Sequence, residues 1–283
     1  MATFTRSDDL QGAEFAGADL RGTRFAGADL RGTRFAGADL RGARFAGADL
    51  SGVVMRGVEM QRAEIDSPWL FEGDGFLRVN GVDVLPFVDA ELNRRFPGRA
   101  DRYAGDPDGL RAAWAALERT WAATLDRVAA MPAGTVDVSV AGEWSFAQTL
   151  RHLVLATDMW LGRAILRRDQ PFHPLALVDT GSKEGFDMSV LATDTPSYAE
   201  VLEARADRVG MVRDFLAAIT PQELVATRAN PHEPDRQETV LSCLHVILEE
   251  EWEHNRYAVR DLDAIDDAAG RATSGSSTDI HRG

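Results

Sequence analysis

A five-residue repeat from Asp8 to Ser67 constrains the fold of this chain more than any other feature. The third residue of every five is large and apolar, and a small or β-branched residue stands two positions earlier in all but the first five. A period of five matches neither the two-residue alternation of a strand nor the 3.6-residue turn of an α-helix. Each five residues are therefore predicted to form one repeated bend of the backbone, in which the glycine at the fifth position permits the angles of a corner.

The segment from Asp8 to Ser67, with units such as ADLRG and TRFAG, resembles the pentapeptide-repeat family. The resemblance implies a right-handed quadrilateral β-helix in which each five residues form one of four sides. Residue n then stacks on residue n+20, and the repeat makes about three coils. The central residues fall into four columns of largely similar side chains, which are Leu10, Leu30 and Leu50; Phe15, Phe35 and Met55; Leu20, Leu40 and Met60; and Phe25, Phe45 and Ile65.

The charge of this repeat bears on its role. Some pentapeptide-repeat proteins mimic duplex DNA with an acidic surface, but residues 1–66 carry nine arginines and ten acidic residues, a net charge of about −1. A nearly neutral stack of three coils is a poor mimic of DNA. We therefore expect the β-helix to be a docking or stabilising module that binds a protein partner or a second copy of the chain.

Charge and composition argue against several other classes of protein. The formal net charge is −14, whereas proteins that bind nucleic acids carry a basic face. No apolar run reaches the roughly 18 to 20 residues that span a bilayer, and the first residues lack the layout of a secretion signal. Cys243 is the single cysteine, which excludes an internal disulfide and fits a reducing compartment. We expect a cytoplasmic protein, and 30 arginines against the single Lys183 indicate a GC-rich bacterial genome.

Helical patterns predominate beyond the repeat. Residues 68–106 are predicted to be a connector that contains a short helix and in part caps the β-helix. Residues 107–265 predict an all-α four-helix bundle, because four segments carry apolar stripes. Residues 266–283 are rich in Ala, Gly, Ser and Asp and are predicted to be a disordered tail. The predicted helices cover residues 86–96 in the connector and 108–131, 145–168, 197–219 and 237–265 in the bundle, with capping boxes at Ser145 and Ser197.

The last predicted helix carries a candidate metal site. At about 100° per residue, Glu250 and His254 lie one turn apart at the edge of the apolar stripe, whereas His245 and Glu249 share a polar face. A carboxylate and an imidazole four residues apart can both reach one cation. His152 lies on a mainly apolar stripe of the second helix and is the candidate third ligand. The residues alone also allow a hydrogen-bonded core histidine at position 152 and a solvated acidic face around Glu250.

The segments EWSFAQTLRHLVLATDMW and EEEWEHNRYAVRDL resemble the DinB-like superfamily of metal-binding four-helix bundles, over residues 107–265. Members place one histidine on the second helix and two ligands four residues apart on the last. In the mycothiol-dependent branch, which includes maleylpyruvate isomerases, the last pair is Glu-x-x-x-His. His152, Glu250 and His254 match that pattern, so the resemblance implies that they bind a divalent metal. Glu251 lies on the same stripe and stays an alternative ligand to Glu250.

A site of this kind has a limited set of uses. Three protein ligands leave one position on the ion open, which is typical of catalytic sites. Zinc suits two imidazoles and a carboxylate, with nickel, iron or manganese as alternatives. The resemblance favours a metal-dependent S-transferase or isomerase that uses mycothiol or another small thiol on a small electrophile. The alternatives are a metal hydrolase in small-molecule detoxification and a non-catalytic ligand- or partner-binding protein.

Several other polar residues receive lesser roles. Cys243 lies on the ligand stripe and is interpreted as a small buried apolar residue. His173 and His232 lie in proline-flanked connectors that could reach the mouth of the pocket. Arg260 and Asp261 are expected to form packing contacts or ion pairs. No separate general base is predicted. The connectors would line the substrate pocket, and they carry no sequence pattern that identifies the substrate.

Overall fold

A computed structural model describes residues 2–67, 70–71, 75–178, 188–191 and 195–275 of the chain. The chain divides into two compact units, Met1–Trp69 and Leu70–Gly283. No helix among the described residues has the length and apolar character needed to cross a membrane.

The first unit consists of short parallel strands in a fixed register. The strands are β1 (Thr3–Thr5), β2 (Glu14–Ala16), β3 (Arg24–Ala26), β4 (Arg34–Ala36), β5 (Arg44–Ala46) and β6 (Val54–Arg56). Strands β1, β3 and β5 form one sheet and strands β2, β4 and β6 form another. Phe15 pairs with Phe35 and Phe25 with Phe45, which confirms the predicted stacking of residue n on residue n+20.

Stacked aromatic rings and buried leucines form the core of the first unit. The ring centroids of Phe25 and Phe45 lie 4.7 Å apart with an interplanar angle of 1°, and those of Phe15 and Phe35 lie 5.2 Å apart. Strand β1 pairs in a register that differs by one residue from that of the other strands. Phe4 pairs with Phe25, a separation of 21 residues instead of 20. The glycines at the fifth position have positive φ, for example 64° at Gly27, as the predicted corners require.

The connector packs as part of the second unit. Strands β7 (Arg78–Val79) and β8 (Val82–Asp83) form a hairpin, whose two turn residues both have positive φ, as a type I′ turn requires. Helix α1 (Leu85–Arg95) begins one residue before the predicted helix. The buried Arg99 pairs with Asp89 at 2.7 Å. Whether part of the connector caps the β-helix stays a prediction.

Four long helices and their core make up most of the second unit. The elements are α2 (Pro107–Ala130), α3 (Phe146–Thr157), a π-helix (Asp158–Ile165), α4 (Tyr198–Ala218), α5 (Pro221–Leu224), β9 (Thr227–Ala229), β10 (Gln237–Thr239) and α6 (Val240–Gly275). Helix α3 contacts both α4 and α6, and α2 contacts the same two helices. Both predicted capping boxes are present, at Ser145 and Ser197. The short helix α5 and the antiparallel strands β9 and β10 precede the last long helix.

Three predicted boundaries were wrong. The last helix was predicted from residue 237, but it begins at Val240, because Gln237–Thr239 form strand β10. The predicted helix over 145–168 is α-helical only to Thr157 and continues as a π-helix to Ile165. The predicted tail begins too early, because α6 continues to Gly275. Arg127 of α2 forms ion pairs with Asp263 and Asp266 at 2.7 and 2.6 Å. These ion pairs attach α6 to α2 on both sides of residue 265, where the helix was predicted to end. Residues 276–283 of the predicted tail lie outside the described residues.

Candidate metal centre

The structure brings the three predicted ligands together. His152 lies on α3, and Glu250 and His254 lie one turn apart on α6. One ligand atom from each lies within 4.8 Å of the others. Nε2 of His152 is 3.5 Å from Oε2 of Glu250, and Nδ1 of His254 is 3.3 Å from the same oxygen. The site forms because α3 and α6 pack directly on each other.

The charges of this cluster are set by burial and by mutual contact. Burial lowers the pKa of His254 to about 4, against the opposing charge of Glu250. Burial also disfavours the Glu250 carboxylate, but the hydrogen bond from His152 and the nearby histidine charges outweigh it and hold the pKa of Glu250 below its usual range. At neutral pH the centre therefore holds a carboxylate beside a neutral His254, the forms in which these residues bind metals.

One hydrogen bond fixes the tautomer of His254. Its Nδ1–H donates to the backbone carbonyl of Glu250 at 2.8 Å, and a carbonyl can only accept. Nε2 of His254 is therefore the nitrogen with the free lone pair. A hydrogen bond of this kind orients metal-binding histidines in proteins.

Aromatic rings flank the two histidines. Trp144, directly before the cap of α3, lies with its ring centroid 4.7 Å from that of His152 and 6.3 Å from that of His254. Tyr257 meets His254 edge-on at 5.8 Å. These rings restrict the rotation of the imidazoles and keep water from their faces.

Glu251 is separated from the histidines by its own buried partner. It forms an ion pair with Arg205 of α4, and both side chains are almost fully buried. The structure thus places Glu250 with the histidines and Glu251 with an arginine. The angle of a residue on an ideal helix could not distinguish the two, because the deciding partner lies on another helix.

Comparison with protein families identifies the helical unit. The family model of the DinB superfamily matches residues 116–258, about half of the chain. The chain belongs to the DinB superfamily. Pentapeptide repeats match residues 9–45 and 33–66, in eight copies, so the DinB domain is fused to a pentapeptide-repeat segment. Neither the curated proteins nor the solved structures gave a match to the chain.

The spacing of the donor atoms in the DinB domain fits a divalent ion. Two donors on one tetrahedral ion, at about 2.0 to 2.2 Å each, lie about 3.3 to 3.6 Å apart, and the 3.5 Å between His152 and Glu250 falls in that range. DinB domains are typically metal-binding.

One further histidine of the DinB domain lies near this centre. The ring of His232 packs against Trp160 at 5.7 Å. Partial desolvation lowers the pKa of His232, while the charge of Glu250 acts on it in the opposite direction. The sequence places His232 only in a connector that could reach the pocket. The loop between β9 and β10 has no regular pattern of apolar residues, so the direction of the His232 side chain could not be predicted.

The remaining polar residues of the DinB domain have other partners. Cys243 is fully buried, and burial raises the pKa of its thiol to about 11. His245 contacts the carbonyl of Ala104 at 2.9 Å. His173 accepts a hydrogen bond from the backbone N–H of Leu175. Arg260 pairs with Asp261 at 2.7 Å, as predicted. These residues lie outside the three-residue cluster.

Proposed function

We propose that the DinB domain is a metal-dependent enzyme that uses a small thiol, of which mycothiol is one, for S-transfer or isomerisation of a small electrophile. The convergence of His152, Glu250 and His254 carries this proposal. Three protein donors occupy three positions of a tetrahedral ion and leave one for a ligand. Membership in the DinB superfamily is consistent with metal-dependent, thiol-related enzymes.

The three residues would hold the ion through two imidazole nitrogens and one carboxylate oxygen. Zinc suits this set best, and nickel, iron and manganese are the alternatives. A bound divalent ion supplies Lewis acidity, which lowers the pKa of a thiol or water that occupies the open position. Glu250 lowers the net charge of the centre, and Trp144 shields the two histidines from water.

His232 is the candidate proton acceptor of the site. Its lowered pKa keeps the imidazole neutral at pH 7, as the removal of a proton from a thiol requires. It can accept a proton from water in the same way, and this favours a metal hydrolase as the second candidate function. The chain's own thiol is not suited to the chemistry, because burial raises the pKa of Cys243 to about 11 and the thiolate is the reactive form.

Elemental analysis of the purified protein tests the metal centre. We expect about one equivalent of metal in the wild type and a loss of at least tenfold in His152→Ala, Glu250→Gln and His254→Ala, in line with the loss of one ligand in three. His245→Ala and Glu251→Gln are matched controls on the same helix, and each folded control should retain the metal. Stoichiometric metal in all three ligand variants would contradict the site.

Titration calorimetry with the metal-loaded protein tests the role of the thiol. We expect mycothiol or another small thiol to bind the wild type, to bind at least tenfold more weakly to His254→Ala, and to support turnover of an electrophile panel. Cys243→Ala should behave like the wild type. Turnover that needs no thiol would indicate the hydrolase, and a metal-loaded protein that binds thiol without turnover would indicate a binding protein.

We also propose that the pentapeptide-repeat segment is a right-handed quadrilateral β-helix of about three coils that docks a protein partner or a second copy of the chain. The pairing of residue n with residue n+20 supports a closed coil. Pentapeptide repeats can mediate protein interactions. Static light scattering tests self-association. A protein that is monomeric at all concentrations would exclude a second copy of the chain, and the β-helix would then bind a different protein.

A further inference from the structure

An arginine-rich groove lies in the DinB domain at the β9–β10 hairpin, whose loop carries His232. Its cavity of about 570 Å³ is formed between the end of the π-helix and the β9–β10 hairpin. We name it the arginine groove, after its lining residues Arg163, Arg167 and Arg228. A volume of this size suits a small molecule, since ligand pockets typically measure about 300 to 1,000 Å³.

The groove is positively charged in an acidic protein. No acidic residue in the described part of the chain contributes to its lining, although the chain carries 45 acidic residues against 31 basic ones. Other arginines of this domain are paired, as Arg205 is with Glu251 and Arg208 with Asp158. Within the described residues, by contrast, none of the three groove arginines forms an ion pair. Three unneutralised guanidinium groups in one cavity are complementary to an anion.

The backbone positions these arginines. Nε of Arg228 donates to the carbonyl of Ile165 at 3.1 Å and its Nη1 donates to the carbonyl of Thr227 at 2.9 Å. These two bonds fix the guanidinium plane and leave Nη2 to donate to a ligand. Arg167 follows the π-helix in the left-handed conformation, with φ of 54°. Arg163 and Arg167 are exposed, so their donors are accessible.

His232 is the chain neighbour of the groove. Pro231, the preceding residue, lines the groove. The charges of both Arg163 of the groove and Glu250 of the candidate metal centre act on the exposed His232.

We propose that the arginine groove is a subsite for an oxyanion, the carboxylate or phosphate of a small-molecule substrate. Guanidinium groups bind both anions through paired N–H donors. The substrate role rests on the proposed function, but anion binding in the groove does not. The small cavity and the net charge of −14 favour a small anion over a nucleic acid.

Titration calorimetry at low salt, with inorganic phosphate and with succinate as separate probes, tests this subsite. We expect at least one probe to bind the full-length protein at millimolar concentrations or below. The double variant Arg163→Gln, Arg167→Asn should weaken its binding at least tenfold, whereas Arg119→Gln, an exposed arginine of α2, should not change it. Asn suits the left-handed conformation at position 167, and Arg228 is left intact because it holds two backbone carbonyls.

The same titration on His254→Ala separates the groove from the metal. Binding that persists in His254→Ala and is lost in the double arginine variant assigns the anion to the groove, whether or not the metal has the proposed function. Binding that is lost in His254→Ala and kept in the double arginine variant would assign the anion to the metal and overturn the proposal. Absence of binding by the wild type would overturn it as well. The preferred probe identifies the anion as a carboxylate or a phosphate.

Discussion

At the residue scale, the protonation of the candidate metal centre depends on how burial affects His254 and Glu250. His254 loses its proton at a much lower pH than an exposed histidine, because burial opposes the imidazolium. Glu250 keeps its negative charge because the histidines outweigh the effect of burial. The centre is therefore prepared for a cation at neutral pH without a large change in protonation.

The lowered pKa of His254 predicts a loss of stability in acid. Its pKa is about 4 in the folded protein and 6.5 in the absence of burial, so the unfolded chain binds a proton that the folded protein excludes between these values. The free energy of unfolding of the metal-free protein should therefore fall, by up to roughly 3 kcal/mol, as the pH is lowered from 6.5 to 4. Urea unfolding at a series of pH values measures this.

The variant His254→Gln should show a flatter dependence over the same range, and His245→Gln, on the same helix, should follow the wild type. Equal slopes in the wild type and His254→Gln would show that His254 is not the group responsible.

The sequence was sufficient to predict that three candidate ligands lie together, but not what surrounds them. His152, Glu250 and His254 form one cluster, and they were singled out because a helical angle and a family pattern agreed. Glu251 could not be assigned, since Arg205 lies 46 residues earlier on another helix. The sequence did not predict that the groove arginines lie together. Their positions depend on a π-helix and on the β9–β10 hairpin, which a single sequence does not reveal.

At the element scale, the π-helix is the principal departure from the predicted structure. The apolar pattern of the second long helix continues through this segment, so the periodicity alone predicts one uninterrupted helix. The capping box at Ser145 was predictable because it is encoded in four adjacent residues. The close packing of Pro171 against Gly162, by contrast, involves residues from outside the helix. π-helical turns occur frequently at functional sites.

Gly162 should not tolerate a side chain. A Cβ atom at this position would lie 2.8 Å from Cβ of Pro171, and the proline ring cannot rotate away. We expect Gly162→Ala to lower the free energy of unfolding by roughly 1 to 3 kcal/mol through overpacking, as measured by urea unfolding.

Gly210 of α4 provides the matched control, because a Cβ atom there would meet nothing within 4 Å. Gly210→Ala should raise the free energy of unfolding by about 0.5 to 1 kcal/mol through helix propensity. A neutral or stabilising effect of Gly162→Ala would contradict the packing described for the π-helix.

At the scale of the whole molecule, each of the two units has its own hydrophobic core. The first core consists of the stacked phenylalanines and leucines, and the second consists mainly of the long helices. This division was predictable, because a period of five and a helical period cannot belong to one packed element. The continuation of α6 to Gly275 was not, because it involves ion pairs with Arg127 on a distant helix.

Separate cores predict separate responses in differential scanning calorimetry. Phe35 is fully buried in the first core, so Phe35→Ala should destabilise that unit by about 3 to 5 kcal/mol. Removal of metal with EDTA should instead lower the transition of the helical unit. Ile65→Ala is the matched control in the first unit, because Ile65 is 60% exposed, and it should change neither transition appreciably. One transition that responds equally to Phe35→Ala and to EDTA would contradict independent cores.

The register of 20 residues has a consequence for the evolution of the chain. Phe15 lies on Phe35 and Phe25 on Phe45. An in-frame duplication or deletion of 20 residues therefore still stacks similar side chains on one another in every remaining layer. Each such event would change the height of the stack by about 4.8 Å, the spacing of adjacent strands. The length of the first unit can therefore change in single genetic steps, while the helical unit encoded after it is left unchanged.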